Sequence, residues 1–317
     1  MLPDIEVPVS LILSLAAYLA LLVFLTGMTR RAWRWAATPV PFRIPTTAGQ
    51  QQSLPWIRAA RLESPWTSAG VAGRMALEVL LFRSLFRDTR SRLEPGPRLT
   101  LIERKALWLA ALAFHWSLLV ILVRHLRLVL NPVPAWVTAV ASVDGFLQAG
   151  VPTWYLSDVA VGLALGYLLF RRLRDPLLRY LTQPADYVAL ALLLAVVGSG
   201  LVLRYAVRPD VAGVKAFAAG VAALRPAPLD APSAWFVAHF LSVCALAVFF
   251  PFSKLVHAAG VFFSPTRNLA NDSRTRRHVN PWNAPVRTRA YEDWEQELVT
   301  SRKSQVTSPS QKSESGV

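Results

Sequence analysis

The chain has 317 residues, 54% of them hydrophobic and 17% charged, with 34 Lys and Arg against 19 Asp and Glu for a formal charge of +15. So apolar a composition excludes an ordinary soluble domain and leaves room for about five membrane spans with their loops. The cations cluster in particular loops, which membrane topology explains without a nucleic-acid partner, and the lone Cys244 excludes a disulfide framework or a cysteine-held iron–sulfur cluster.

The first expected span, 7–28, has no charged residue over 22 positions. Asp4 and Glu6 precede it and Arg30, Arg31 and Arg34 follow, the reverse of a cleaved signal peptide, so the N-terminus is expected outside. Residues 29–105 carry 14 Lys or Arg and form a cytoplasmic loop. Within it, 75–87 reads as an amphipathic helix with Arg83 and Arg87 at its polar edge, lying at the interface or against a partner subunit. The second span, 106–126, carries His115 and ends at His125, between Arg124 and Arg127. Those arginines sit where the outer side is expected. They fit either as partners of haem propionates, with Arg204 at the same level, or as interfacial snorkelling.

Residues 131–155, with Pro132, Pro134, Trp136 and Trp154, read as an outer segment with a short interfacial helix. The third span, 151–170, holds Asp158 near its outer end, either a helix cap or an acceptor of a quinol proton. Arg171, Arg172, Arg174 and Arg179 make the next turn cytoplasmic. The fourth span, 187–206, contains Gly198 and Gly200, where a helix or a macrocycle face can approach closely. The fifth, 234–260, carries His239 and His257, with Lys254 able to reach propionates or lipid headgroups. The expected fold is an all-α bundle of five transmembrane helices over residues 1–263, N-terminus out and C-terminus in. Residues 264–317 form a cytoplasmic tail with a disordered end from about 301 and a solvated His278.

Four of the five histidines lie in these apolar segments, where an ionisable group is costly and marks function. A single intramembrane histidine is as readily a helix-to-helix hydrogen bond or a pore group; two pairs point to bis-histidine ligation of two haems. Eighteen residues separate His239 from His257, about 27 Å on one helix face, whereas ten separate His115 from His125, about 15 Å and roughly 80° apart around the axis. Antiparallel helices then pair His115 with His257 on the inner side and His125 with His239 on the outer. The unequal rises must be absorbed by side-chain lean, helix tilt and a bend at Pro251. No Cys-x-x-Cys-His occurs, so the haems are expected to be b-type.

The run Phe250-Pro251-Phe252-Ser253-Lys254-Leu255-Val256-His257 is similar to a signature of the gamma subunit family of respiratory nitrate reductase, five-helix dihaem b quinol oxidoreductases whose ligand intervals match both pairs here. Its continuation from Ala258 to Asn268, with Arg124-His125 and Leu81-Phe82-Arg83, resembles the DsrM-type branch associated with dissimilatory sulfite reduction. That resemblance implies two haem b and exchange of electrons between menaquinone and a cytoplasmic iron–sulfur subunit similar to the catalytic subunit of heterodisulfide reductase. Quinol would then be oxidised near the outer haem. The alternatives are a nitrate-reductase role within the same family, a histidine-lined transporter or proton channel, and a mere anchor for a soluble enzyme.

Overall fold

The computed structural model describes residues 8–38, 49–96, 98–145, 153–274 and 289–306. Helix α1 (Val9–Ala37) follows the uncharged run and continues through Arg30, Arg31 and Arg34. Inside the cationic loop come α2 (Ser68–Leu81), α3 (Arg83–Phe86) and an antiparallel hairpin of β1 (Thr89–Glu94) and β2 (Arg98–Glu103). The hairpin qualifies the all-α expectation. The helix expected at 75–87 starts seven residues earlier, where the Thr67 hydroxyl caps the Gly70 N–H at 3.1 Å, and breaks at Phe82 in the left-handed conformation.

Helix α4 (Lys105–His125) is followed by α5 (Ala135–Asp144), α6 (Leu156–Arg174), α7 (Pro176–Leu181) and α8 (Pro184–Val202), the last continuing as a π turn over Leu203–Val207. Then come α9 (Val211–Ala222) and α10 (Ala234–Phe249). Side-chain caps start several of these helices: Asp175 for α7, Asp210 for α9 and Ser233 for α10. Among the described residues four helices are long and apolar enough to cross a bilayer: Val9–Ala37, Lys105–Leu128, Pro184–Val207 and Ala234–Phe252. Helix α6 has similar length, but Asp158 near its start and Arg171, Arg172 and Arg174 at its end leave its composition less apolar.

The fifth segment is not one helix. After α10, a 3-10 turn over Phe250–Phe252 reaches Ser253 in extended geometry (φ −113°, ψ 177°), a second turn covers Lys254–Val256, and α11 (His257–Gly260) begins at the histidine itself. The cause is local: Pro251 has no N–H to give, and the Ser253 hydroxyl caps the Leu255 N–H at 3.2 Å. His239 and His257 therefore do not share one straight helical face, and the expected 27 Å rise does not apply. Beyond lie α12 (Pro265–Asn268) and α13 (Tyr291–Val306). Helix continues to Val306 where disorder was expected from 301; His278 and residues 307–317 lie outside the described residues.

Helix α4 packs on α6, α6 touches α8, α8 packs on α10, and α10 packs on α1. Phe114, Val161, Ala164, Leu165 and Leu190 form the core between α4, α6 and α8. Leu13, Leu203, Phe217 and Phe236 form a second one where α9 closes over α1, α8 and α10. Meanwhile Leu19, Leu22 and Leu163 are 61%, 59% and 71% exposed, a surface suited to lipid and unsuited to water. Helices α5 and α9 cover one end of the bundle. The hairpin, α2, α7 and α12 gather at the other, where Arg90 on β1 pairs with Asp175 at 3.0 Å and α12 packs on α2.

Candidate functional site

The inner pair comes together. His115 on α4 and His257 at the start of α11 have ring centroids 5.9 Å apart with planes at 82°. Two imidazoles bound through Nε2 to one metal at about 2.0–2.1 Å would have centroids about 6.4 Å apart, so a shared iron would need these rings to part by about half an ångström. The hydrogen bonds of the other ring nitrogen agree. His115 Nδ1 lies 2.7 Å from the Ala111 carbonyl oxygen and His257 Nδ1 lies 2.8 Å from that of Lys254. A carbonyl can only accept, so each Nδ1 carries the hydrogen and each Nε2 keeps a free lone pair.

His125 and His239 follow the same rule. His125 Nδ1 donates to the Ile121 carbonyl at 2.7 Å. His239 Nδ1 donates to the Val196 carbonyl at 3.1 Å and faces the Ser199 hydroxyl at 3.0 Å, while that hydroxyl itself donates to the Ala195 carbonyl. A Cβ added to Gly200 would lie 3.2 Å from His239 Cε1, so the glycine lets α8 back closely onto this ring. No such contact lies beside Gly198. Among the described residues no three His, Cys, Asp or Glu side chains gather as a metal-ion cage would need; the pairs offer two imidazoles each, the number that haem leaves for the protein.

Beside His125 lies a buried ion cluster. Arg124, 7% exposed, donates from Nη1 to Asp144 Oδ2 at 2.9 Å, Ser157 Oγ at 3.0 Å and Asp158 Oδ1 at 3.0 Å. Tyr205 donates its hydroxyl to Asp158 Oδ2 at 2.8 Å. The α6 cap is supplied by Asp144 of α5, which accepts from the Ser157 N–H at 2.8 Å; Asp158 is an ion-pair partner, and the capping expectation for it is corrected. The Arg124 guanidinium lies 3.3 Å from the Tyr155 ring centroid and that of Arg204 lies 4.9 Å away. Both arginines keep a buried Nε without a hydrogen-bond acceptor. Arg204 otherwise reaches the Thr153 carbonyl at 3.4 Å.

Arg127 lines a cavity of about 390 Å³ with Val137, Thr138, Ser142, Thr153 and Tyr155 under α5. Lys254, at the opposite end, donates to Asp186 at 2.8 Å. The sequence did not single out Asp144, Tyr155, Tyr205 or Ser199, and it marked Ser157 only as a candidate cap and Phe82 only as part of the resemblance. Asp144 carried the same signal as Asp158, a carboxylate closing an apolar stretch. The partnership of Tyr205 with Asp158, 47 residues apart, had no local mark.

These features define a helical protein with membrane-length segments and four histidines in or beside them, two of which, His115 and His257, meet. The chain matches the nitrate reductase gamma subunit family over residues 73–277 and belongs to it. It is 43% identical over 274 residues to the Hdr-like menaquinol oxidoreductase cytochrome b-like subunit of Archaeoglobus fulgidus, covering 84% of this chain and 81% of that one. The protein of the same description from Archaeoglobus profundus is 39% identical over 272 residues, 84% of this chain and 80% of the relative. The nitrate reductase gamma chain of Bacillus subtilis is 26% identical over 181 residues, 53% of this chain and 78% of its own.

Proposed function

We propose that the chain is the five-span cytochrome b subunit of a menaquinol oxidoreductase complex in the cytoplasmic membrane. In this reading it holds two haem b and connects menaquinone with a cytoplasmic iron–sulfur subunit of heterodisulfide-reductase type in sulfur metabolism. The observation that carries the reading is common to all four histidines: each Nδ1 is spent on an acceptor of the protein, leaving four Nε2 lone pairs, and two of the rings, His115 and His257, meet. His115 and His257 would hold the inner haem, His125 and His239 the outer. Bound haem supplies one-electron carriage through a low-dielectric slab; the protein supplies axial ligands, packing and charge. Membership of the family and the names of the archaeal relatives support the substrate class.

The orphan Nε donors of Arg124 and Arg204, with Arg127 close by, fit the carboxylates of the outer haem's propionates. Lys254 serves the inner ones if it leaves Asp186. The cavity under α5 adds Val133, Val137 and Ala141 walls to Thr138 and Ser142 hydroxyls, a lining suited to a flat ring bearing two oxygens. The ion cluster holds one cation against two carboxylates, and the excess negative charge suits Asp158 to receive a proton from quinol.

A pyridine haemochrome assay on the purified protein tests the assignment. His257→Ala is expected to halve the haem content while His125→Ala leaves the inner haem in place. Two haems retained per chain in His257→Ala would overturn the ligand set, and a colourless wild-type protein would favour a histidine-lined transporter.

A further inference from the structure

Phe82 stands out on two independent grounds. It is a non-glycine residue at φ +51° and ψ +48°, a left-handed conformation that side chains other than those of Asn and Asp seldom adopt. Such strain persists only where the surroundings over-determine it, and it gathers at functional positions. Its ring also lies against His115, centroids 4.9 Å apart and planes at 83°.

The surroundings that impose the conformation can be named. Helix α2 ends at Leu81, so its last carbonyls have no partner within the helix. Two indoles of α4 take them: Trp108 Nε1 donates to the Leu81 carbonyl at 2.8 Å and Trp116 Nε1 to the Leu80 carbonyl at 3.0 Å. These tryptophans flank His115 on the same helix. On the far side of the kink, Glu78 accepts from the Ser84 N–H at 2.9 Å and the Ser84 hydroxyl at 2.7 Å, capping α3. Lys105 donates to the Phe86 carbonyl at 2.6 Å. The chain is thus pinned on both sides of residue 82, and the Phe82 ring between those clamps lies against the imidazole.

We infer that Phe82 is a positioning residue for the inner haem site: its ring, delivered by the indole-clamped end of α2, fixes the rotation of the His115 imidazole relative to His257. His115 sits among three rings, Phe82, Phe114 and His257, each nearly perpendicular to it. The Ala111 carbonyl holds the imidazole at Nδ1 but leaves it free to swing about that bond; the packed phenyl removes the swing. Were a haem held by His115 and His257, the relative orientation of their imidazoles would bear on its ferric low-spin spectrum and its potential, and Phe82 would tune both by holding one of the rings. The cationic loop then acts on the membrane site through one side chain.

The inference rests on the haem reading, and its test keeps the two apart. Phe82→Gly removes the ring while glycine adopts the left-handed turn without strain; Phe82→Leu keeps bulk without a flat face; Trp116→Phe removes one of the clamping donors. Each is purified with its haem and studied by electron paramagnetic resonance and optical redox titration, the inner signal being the one lost in His257→Ala. The expected result is unchanged haem content with the inner low-spin signal and inner midpoint displaced in Phe82→Gly, less displaced in Phe82→Leu and Trp116→Phe, and the outer signal unmoved. An inner signal and midpoint equal to wild type in Phe82→Gly overturn the inference while leaving the haem assignment intact. Should Phe82→Gly not assemble, unmoved inner signals in the other two variants overturn it. A wild-type protein without haem sinks the functional reading instead.

Discussion

Arg124 concentrates the outer site in one side chain. Its guanidinium is the sole cation hydrogen-bonded to the Asp144 and Asp158 carboxylates among the described residues, and all three are more than nine-tenths buried. Arg124→Leu leaves two carboxylates facing each other away from water and should cost about 3–5 kcal/mol, read as a lowered thermal transition in detergent. Asp158→Asn keeps the Arg124–Asp144 pair and should cost less. Nearby, Thr138→Phe fills the cavity under α5 without touching a histidine or the ion cluster. Quinol-driven reduction of the haem is expected to fall at least about tenfold, roughly 1.4 kcal/mol in the barrier, with dithionite reduction unchanged. Equal rates by both reductants would remove this cavity from the quinol path. At this scale the sequence marked Arg124 as a cation out of place and the histidines as ionisable groups in apolar runs. It could not mark their partners, because Asp144 and Asp158 meet Arg124 only through the packing of α5 and α6 on α4.

Elements depart from the sequence pattern where a single residue redirects the chain. In the last apolar run the bend expected at Pro251 is a full break: Pro251 and Ser253 interrupt the helix and place His257 on a new turn. Gly27 on α1 makes room for that break: a Cβ there would lie 2.6 Å from Pro251 Cβ. Gly27→Val should push α1 away and destabilise the chain by about 1–3 kcal/mol, with haem loss on the His257 side measured against the His239 side. The hairpin was not foreseen: its two six-residue strands, Thr89–Glu94 and Arg98–Glu103, are exposed along nearly their whole length, so no buried apolar face marked them in the sequence. In the same loop Glu63 pairs with Arg83 and Arg87. Burial pushes its carboxyl up, but the hydrogen bonds and charges of the two arginines outweigh that and hold it below the usual glutamate value. A lowered folded value means the stabilisation is present above about pH 4.3 and is lost as pH falls through the folded value. Limited proteolysis between Glu63 and Arg87 should therefore accelerate on acidification in the wild type, and Glu63→Gln should show the faster cleavage already at neutral pH.

At the scale of the whole molecule, charge and architecture agree on which end is which. Residues 29–105 carry 14 Lys or Arg, and the α6–α7 junction adds Arg171, Arg172, Arg174 and Arg179. The Arg90–Asp175 pair joins that loop to that junction in space, so the cations form one end of the bundle. The other end, closed by α5 and α9, has Arg204, Arg208, Lys215 and Arg225 over residues 204–233. On the five-span reading proposed above, the positive-inside rule puts the first end in the cytoplasm, and α6, less apolar than its neighbours because of its charged ends, crosses as the third span. If α6 did not cross, α4 and α8 would run in opposite directions and the α5 and α9 caps would lie at opposite ends, contrary to the packing of α9 on the turn Leu126–Leu128 that follows α4. Cys244 is the lone cysteine, so a Cys244→Ser background allows single cysteines at Ser91 on the hairpin and at Ala223 after α9, both exposed. A membrane-impermeant maleimide applied to intact cells should label the cysteine at 223 and spare the one at 91 until the membrane is opened. The opposite pattern would invert the bundle and move the His115–His257 pair to the outer face, where no cytoplasmic subunit could reach it.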